Sequence, residues 1–139
     1  MSAKQTTPPM EENNSGPIID DQEFEAAVKE AQRSANVFTY KFPTPFSFEE
    51  ESFDSLTFDF EALTGADSLA IENELAQLGR VVITPEFSGD YLIRMAMRAC
   101  TVRRKDGRRL GIDAFSAMPI SAFIKIRGAA RSFLMRVGS

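Results

Sequence analysis

Between Phe38 and Phe60 large apolar side chains fall on every second position of two runs separated by a block of acids, and no other part of the chain constrains the fold as tightly. Phe38, Tyr40 and Phe42 alternate with Thr39 and Lys41, and after Pro43 and Pro45 the alternation resumes in Phe46 and Phe48. Successive strand side chains point to opposite faces, so a period of two marks a half-buried strand. The prolines lack the N–H that a ladder needs, which places this run at an edge or on a bulge. Glu49-Glu50-Glu51-Ser52 reads as a charged turn, and Leu56, Phe58 and Phe60 alternate with Thr57 and Asp59 as a second strand. The two runs make a β-hairpin.

The chain beyond the hairpin reads as helical. Thr64 or Asp67 can cap a helix with Ile71, Leu75 and Leu78 at i, i+4 and i+7, and Gly79 sits where a left-handed C-terminal residue is wanted. A second helix is predicted over about Asp90 to Cys100, with Leu92, Met95, Ala96 and Ala99 on one face. After the loop from Arg103 to Arg109, turning at Asp106-Gly107, come a short helix near Asp113 to Met118 and a long one from about Pro119. The long helix repeats Phe123, Ile126, Ala130, Phe133, Leu134 and Val137 on the face expected to dock on the hairpin and the earlier helices.

Ahead of the hairpin, residues 1–19 lack periodicity and are rich in Pro, Asn, Ser, Thr and Glu, the composition of a disordered acidic arm. Residues 20–35 can form a marginal helix, with an aspartate cap and a narrow stripe of Phe24, Val28 and Ala31. The expected fold class is therefore α+β: a β-hairpin followed by a mainly α-helical bundle of three to four helices, in a single domain over residues 36–137.

Several functions lose their chemistry at this level. The chain has no histidine and one cysteine, which removes the commonest general acid/base, the usual activator of a Ser or Cys nucleophile, and any internal disulfide. Cys100 reads as core packing. Glu72 with Glu74, or Glu49 to Glu51, are the carboxylates available for acid/base work, but helix residues two apart do not face each other and an acidic run is usually solvated. Catalytic, cofactor and metal residues are expected to be none, and neither glycine-rich phosphate-binding pattern occurs. No apolar run approaches the roughly 20 residues that span a bilayer. Residues 1–10 lack the apolar stretch of a secretion signal, so no membrane association and a cytoplasmic location are expected.

Charge is unevenly divided. Residues 1–80 carry 5 Lys/Arg against 16 Asp/Glu, a net of −11, and residues 81–139 carry 11 against 4, a net of +7. Head-to-tail self-association, internal charge pairing, or a basic face for an acidic partner would each account for it. The candidate partner-binding residues follow. Arg103, Arg104, Lys105, Arg108 and Arg109 offer a phosphate or acidic-protein contact, against the plainer reading of a solvated loop. Phe38, Tyr40 and Phe42 offer a strand for β-augmentation, against simple packing under a helix. Met95 and Met97, with Met118 and Met135, offer adaptable apolar contacts, against filling gaps in the core. Nucleic acid is not expected as a partner, since no aromatics interleave with the basic run and the pI is near 4.9.

The order Ser55-Leu56-Thr57-Phe58, Leu63-Thr64-Gly65-Ala66-Asp67, Phe87-Ser88-Gly89-Asp90-Tyr91 and a late Phe133-Leu134 resembles the tail assembly chaperones of long-tailed bacteriophages and prophages, over roughly residues 36–137. The resemblance implies a non-enzymatic late protein of viral tail morphogenesis, acting in the host bacterial cytoplasm as an oligomer. It would bind the tape measure protein and keep it soluble until the tail tube polymerises around it. It also implies that a longer frameshifted product recruits tail-tube subunits, and it carries no catalytic residues over. The alternative expectation is a structural phage component, a head-tail connector or tail-tube protein, that stays in the virion. A third is a small regulator that binds nucleic acid through Arg103 to Arg109.

Overall fold

Two adjacent glutamates turn the hairpin. In the structure, a computed structural model describing residues 21–138, Glu49 and Glu50 take φ of 49° and 68°. Positive φ at both central residues is the condition for a tight hairpin turn that matches the twist of the flanking strands. Strand β1 (Val37–Phe48) enters this turn and β2 (Glu51–Asp59) leaves it antiparallel, pairing Phe38 with Phe58, Tyr40 with Leu56 and Phe46 with Phe53. Between the Lys41–Ser55 and Phe46–Phe53 pairs, residues 42–45 face Asp54 alone. Pro43 and Pro45 fall inside this bulge, where the ladder is already interrupted. The outer face carries Thr39 and Thr57 directly opposite, their hydroxyls 3.0 Å apart.

The chain divides into two compact units, residues 1–34 and 35–139. The first contains helix α1 (Asp21–Ala35), with Asp21 and Glu23 in its first turn and Phe24 and Val28 exposed. The expected arm over residues 1–19 lies outside the described residues.

The second unit is the α+β domain that the alternating and helical periods predict. From β2 the chain turns through Phe60–Ala62, where Asp59 Oδ1 accepts the Glu61 N–H at 3.1 Å. Helix α2 (Gly65–Gln77) starts at Thr64, whose N–H is accepted by Asp67 Oδ2 at 2.8 Å, the reciprocal half of a capping box. At its other end Gly79 has φ +76°, the Arg80 N–H reaches Leu75 O at 2.8 Å and the Gly79 N–H reaches Ala76 O at 2.9 Å. This is a Schellman closure. It also corrects the predicted apolar stripe: Ile71 and Leu75 are buried, but Leu78 is the capping residue and is exposed.

Helix α3 (Gly89–Ala99) is the centre of the domain, in contact with α2, the hairpin and the last two helices. The predicted face of Leu92, Met95, Ala96 and Ala99 is buried, and Tyr91, Ile93 and Arg94 are buried with it. Cys100 is in the core as expected, and the strand-like residues after it lay the Thr101 N–H on Thr57 O at 2.8 Å, covering part of the outer edge of β2. Helix α4 (Ile112–Ser116) precedes α5 (Ile120–Val137). Pro119 is the capping residue of α5 and not its first helical position. Ala122, Ile126 and Ala130 are the buried positions of α5, while Phe123, Phe133 and Leu134 are half-buried and Val137 is exposed, beyond the reach of the core. Phe133 stacks on Phe60 with centroids 5.4 Å apart, fastening the last helix to the end of the hairpin.

Candidate interaction surface

The aromatic residues that alternation singled out are divided by depth. Tyr40 (8% exposed), Phe42 (4%) and Met95 (3%) lie in the core, and Phe38 and Met97 are half-buried against it. Tyr40 meets Phe42 edge-on at 5.0 Å, and Phe42 stacks on Phe46 at 5.4 Å. As they stand, Tyr40, Phe42 and Met95 present no area to a partner. The period of two correctly put these rings on one face, and that face is the one the domain covers.

The basic run is tied largely to its own fold. Arg104 donates from Nη1 to Glu49 Oε1 at 2.7 Å and from Nε to Glu51 Oε2 at 3.0 Å, while its guanidinium lies 5.3 Å over the Phe48 ring. The Lys105 N–H adds a 3.0 Å bond to Glu51 Oε1. Arg103 Nη1 donates to Cys100 O and Arg109 Nη1 to Arg98 O, each at 2.9 Å, and Arg108 closes on Asp106 at 2.6 Å. The acidic hairpin turn and the basic loop are thus one contact, the internal pairing that the uneven charge allowed for. The Lys105 and Arg108 side chains face solvent, and Arg108 is tied within the loop to Asp106.

Arginines hold Glu49, Glu51 and Glu74 among the carboxylates weighed as acid/base candidates. Glu74 accepts from Arg94 Nε at 2.9 Å, and Arg94, a buried cation, also reaches Asp90 at 3.4 Å. Such a charge is tolerable inside only when paired. Asp67 is held below the ordinary carboxyl range first by the Thr64 N–H and then by Arg98, 2.7 Å away. Burial pushes the Cys100 thiol up, the opposite of an activated nucleophile. No cluster of three or more His, Cys, Asp or Glu side chains fit to hold a metal occurs among the described residues.

What the surface does offer is apolar. The connection between α2 and α3 exposes Leu78, Val81, Ile83 (89%) and Phe87 (73%), and α5 exposes Ile120, Ile124 and Met135. Ile120, Ile124, Arg127 and Arg131 are spaced i, i+4, i+7 and i+11, along one face of α5. Arg131 Nε donates to Glu86 O at 2.9 Å, and Arg127 passes so close to Gly89 that a Cβ there would meet its Nη1 at 2.8 Å. Helix α5 therefore runs beside the end of this connection, at Glu86 and Gly89. Pattern reading missed the connection because residues 78–87 follow neither strand nor helix periodicity; the signal was Val81-Val82-Ile83 standing outside any predicted element. Around α5 from this face, a groove of about 370 Å³ runs between the start of β1 and the helix.

Comparison of the chain with known protein families, with curated proteins and with solved structures found no significant match. No helix among the described residues is long and apolar enough to cross a membrane.

Proposed function

We propose that the chain is a non-enzymatic assembly chaperone of the phage-tail type, which binds the tape measure protein in the host bacterial cytoplasm and keeps it soluble until the tail tube polymerises around it. The observation that carries this is the exposure of Leu78, Val81, Ile83 and Phe87 in the connection between α2 and α3 and of Ile120 and Ile124 on α5. Exposed apolar surface on an otherwise charged domain points to a binding role, and a factor that shields an apolar helical client without consuming energy needs such a surface and little else. Glu49, Glu51, Asp67, Glu74, Asp90 and Asp106 are engaged by arginines, and the thiol is buried, which fits a binding role better than a chemical one. Self-association would add avidity along a long client, and a longer frameshifted product would bring in tail-tube subunits.

Co-expression with the tape measure protein tests the proposal, followed by size-exclusion chromatography with light scattering on the pair and on this chain alone. A soluble complex with a client that is insoluble by itself is the expected outcome. An inert monomer that leaves the client aggregated, together with detection of this chain in purified virions by mass spectrometry, would replace the chaperone with a structural component of the particle.

A further inference from the structure

The loop after α3 has two faces, and they treat charge differently. Arg103 and Arg109 are antiparallel partners in an isolated β-bridge, so their side chains leave the loop directly opposite each other on one face, with Cβ atoms roughly 5 Å apart. Arg104, one residue on, serves the other face and meets Glu49 and Glu51 there. One face is neutralised and the other is not. Arg103 Nη1 donates to Cys100 O and Arg109 Nη1 to Arg98 O, each at 2.9 Å, which seats both guanidiniums on carbonyls at the C-terminal end of α3. A helix end carries only about half a negative charge, against two whole positive ones. Neither arginine forms an ion pair with a carboxylate among the described residues.

Both arginines border a hollow of about 230 Å³ whose wall also holds Arg98, Asp67, Asp59 and Cys100. Arg98 and Asp67 close on each other at 2.7 Å and cancel. Asp59 Oδ1 accepts the Glu61 N–H at 3.1 Å. Burial pushes the Cys100 thiol up, and Arg103 and Arg109 both act on it in the opposite sense, so their two positive fields overlap at this wall. Like charges directly opposite on paired backbone repel, and an anion set between them turns that repulsion into two attractions. Two facing charges are matched by a dianion. A carboxylate or a phosphodiester carries a single negative charge, whereas a phosphate monoester carries about 1.5 to 2 at neutral pH and three acceptor oxygens, enough to serve both guanidiniums at once. The hollow exceeds the ~150 Å³ that accommodates benzene, so a phosphate group and a short carbon stem fit in it together.

From these features we infer that the hollow between Arg103, Arg109 and the end of α3 binds the phosphate group of a small phosphate monoester, with one guanidinium on each side of it. The site is independent of the chaperone reading and uses none of the exposed apolar residues on which that reading rests.

NMR titration of the full chain, read at the arginine side chains, tests this with methyl phosphate, dimethyl phosphate and acetate. Methyl phosphate is expected to shift the Arg103 and Arg109 signals and to bind about tenfold more tightly than either monoanion. Its affinity is expected to fall about fivefold from about pH 7 to about pH 5, as the ligand takes up its second proton near pH 6. The chain has no histidine, so no side chain of ordinary pKa titrates in that interval. Arg103→Gln and Arg109→Gln are each expected to weaken binding about tenfold while the amides of α3 keep their protection from exchange. Arg103→Lys, which keeps the charge and loses the planar fork, is expected to weaken it about threefold. Lys105→Gln removes the same charge from the same loop outside the hollow and is expected to cost about twofold or less. Equal binding of the three probes, an affinity indifferent to pH over this interval, or unchanged binding by folded Arg103→Gln would overturn the assignment. So would a loss with Lys105→Gln as large as with Arg103→Gln, because the loop would then attract anions by net charge alone. A single-stranded oligonucleotide that binds more tightly than methyl phosphate, with an affinity falling steeply in salt, would also overturn it and give the loop to a phosphodiester backbone.

Discussion

Arg104 Nε donates to Glu51 Oε2 at 3.0 Å across 53 residues of sequence, and both side chains are largely covered, at 13% and 14% exposure. The bond joins the loop after α3 to the first residue of β2, immediately past a turn in which Glu49 and Glu50 hold positive φ. Residues with a Cβ resist that conformation. Arg104 pairs with Glu49 and Glu51, on either side of Glu50.

Arg104→Met is therefore expected to loosen the hairpin turn and the basic loop together. The readout is amide hydrogen exchange: the Lys105 N–H, bonded to Glu51 Oε1, should exchange faster, while amides in α3 keep their protection. Glu51→Gln should produce a milder form of the same pattern, and the two changes together should cost less than their sum, because they share the Arg104–Glu51 pair. Unchanged exchange at Lys105 would mean that the turn stands without the arginine.

Phe58 is fully buried, with rings of Phe38, Phe60 and Phe115 each within 6.3 Å between centroids. Phe58→Ala should cost about 3–5 kcal/mol in urea unfolding. Against a total of about 5–15 kcal/mol for a domain, that is a large fraction. Tyr40→Ser should also act on the fold, since the ring is in the core, and any loss of binding with it would be secondary to unfolding.

Asp67 is the titrating part of the α2 cap. Its folded pKa is depressed, chiefly by the Thr64 N–H and then by Arg98, so its contribution is fully present above the ordinary carboxyl pKa near 3.8 and is lost as the pH falls through the lower folded value. Asp67→Asn should cost about 1 kcal/mol at neutral pH. The same variant should unfold less steeply with acid below about pH 4 than the unaltered chain. Equal acid transitions would place the charge partner elsewhere.

Gly79 at φ +76° has no atom near a built Cβ, so substitution there reports backbone strain alone. Gly79→Ala should cost about 1–2 kcal/mol. Gly79→Asn should cost less, since asparagine tolerates the left-handed region. Thermal melts of the two variants decide it.

Ile83 and Phe87 are exposed, so Ile83→Ser and Phe87→Ser should each leave stability within about 0.5 kcal/mol of the unaltered chain. The double variant should retain a wild-type melting temperature and lose the ability to hold an apolar helical client in solution, measured by light scattering of the co-expressed pair. Full retention of the client would remove Ile83 and Phe87 from the binding surface.

Local physics made much of the fold legible in advance. Alternation at Phe38, Tyr40, Phe46, Phe48, Leu56 and Phe58 dictates a two-faced hairpin whatever follows it, the Thr64 to Asp67 spacing starts a helix, and Gly79 ends one, because each depends on residues within a turn or two of each other. The i, i+4 spacing likewise put Leu92, Met95, Ala96 and Ala99 on one face of α3. The tertiary structure decided what covers each face and which charge meets which. A periodic pattern specifies that a face is apolar, not whether protein or solvent lies against it, so Tyr40, Phe42 and Met95 read equally as partner contacts or as core, and the fold encloses them. A run of arginines specifies a local excess of charge, not its partner, and only the return of the chain after α3 brings Arg104 to Glu49 and Glu51. Residues 78–87 and the groove beside α5 arise from elements far apart in sequence packing side by side, and no local period encodes that.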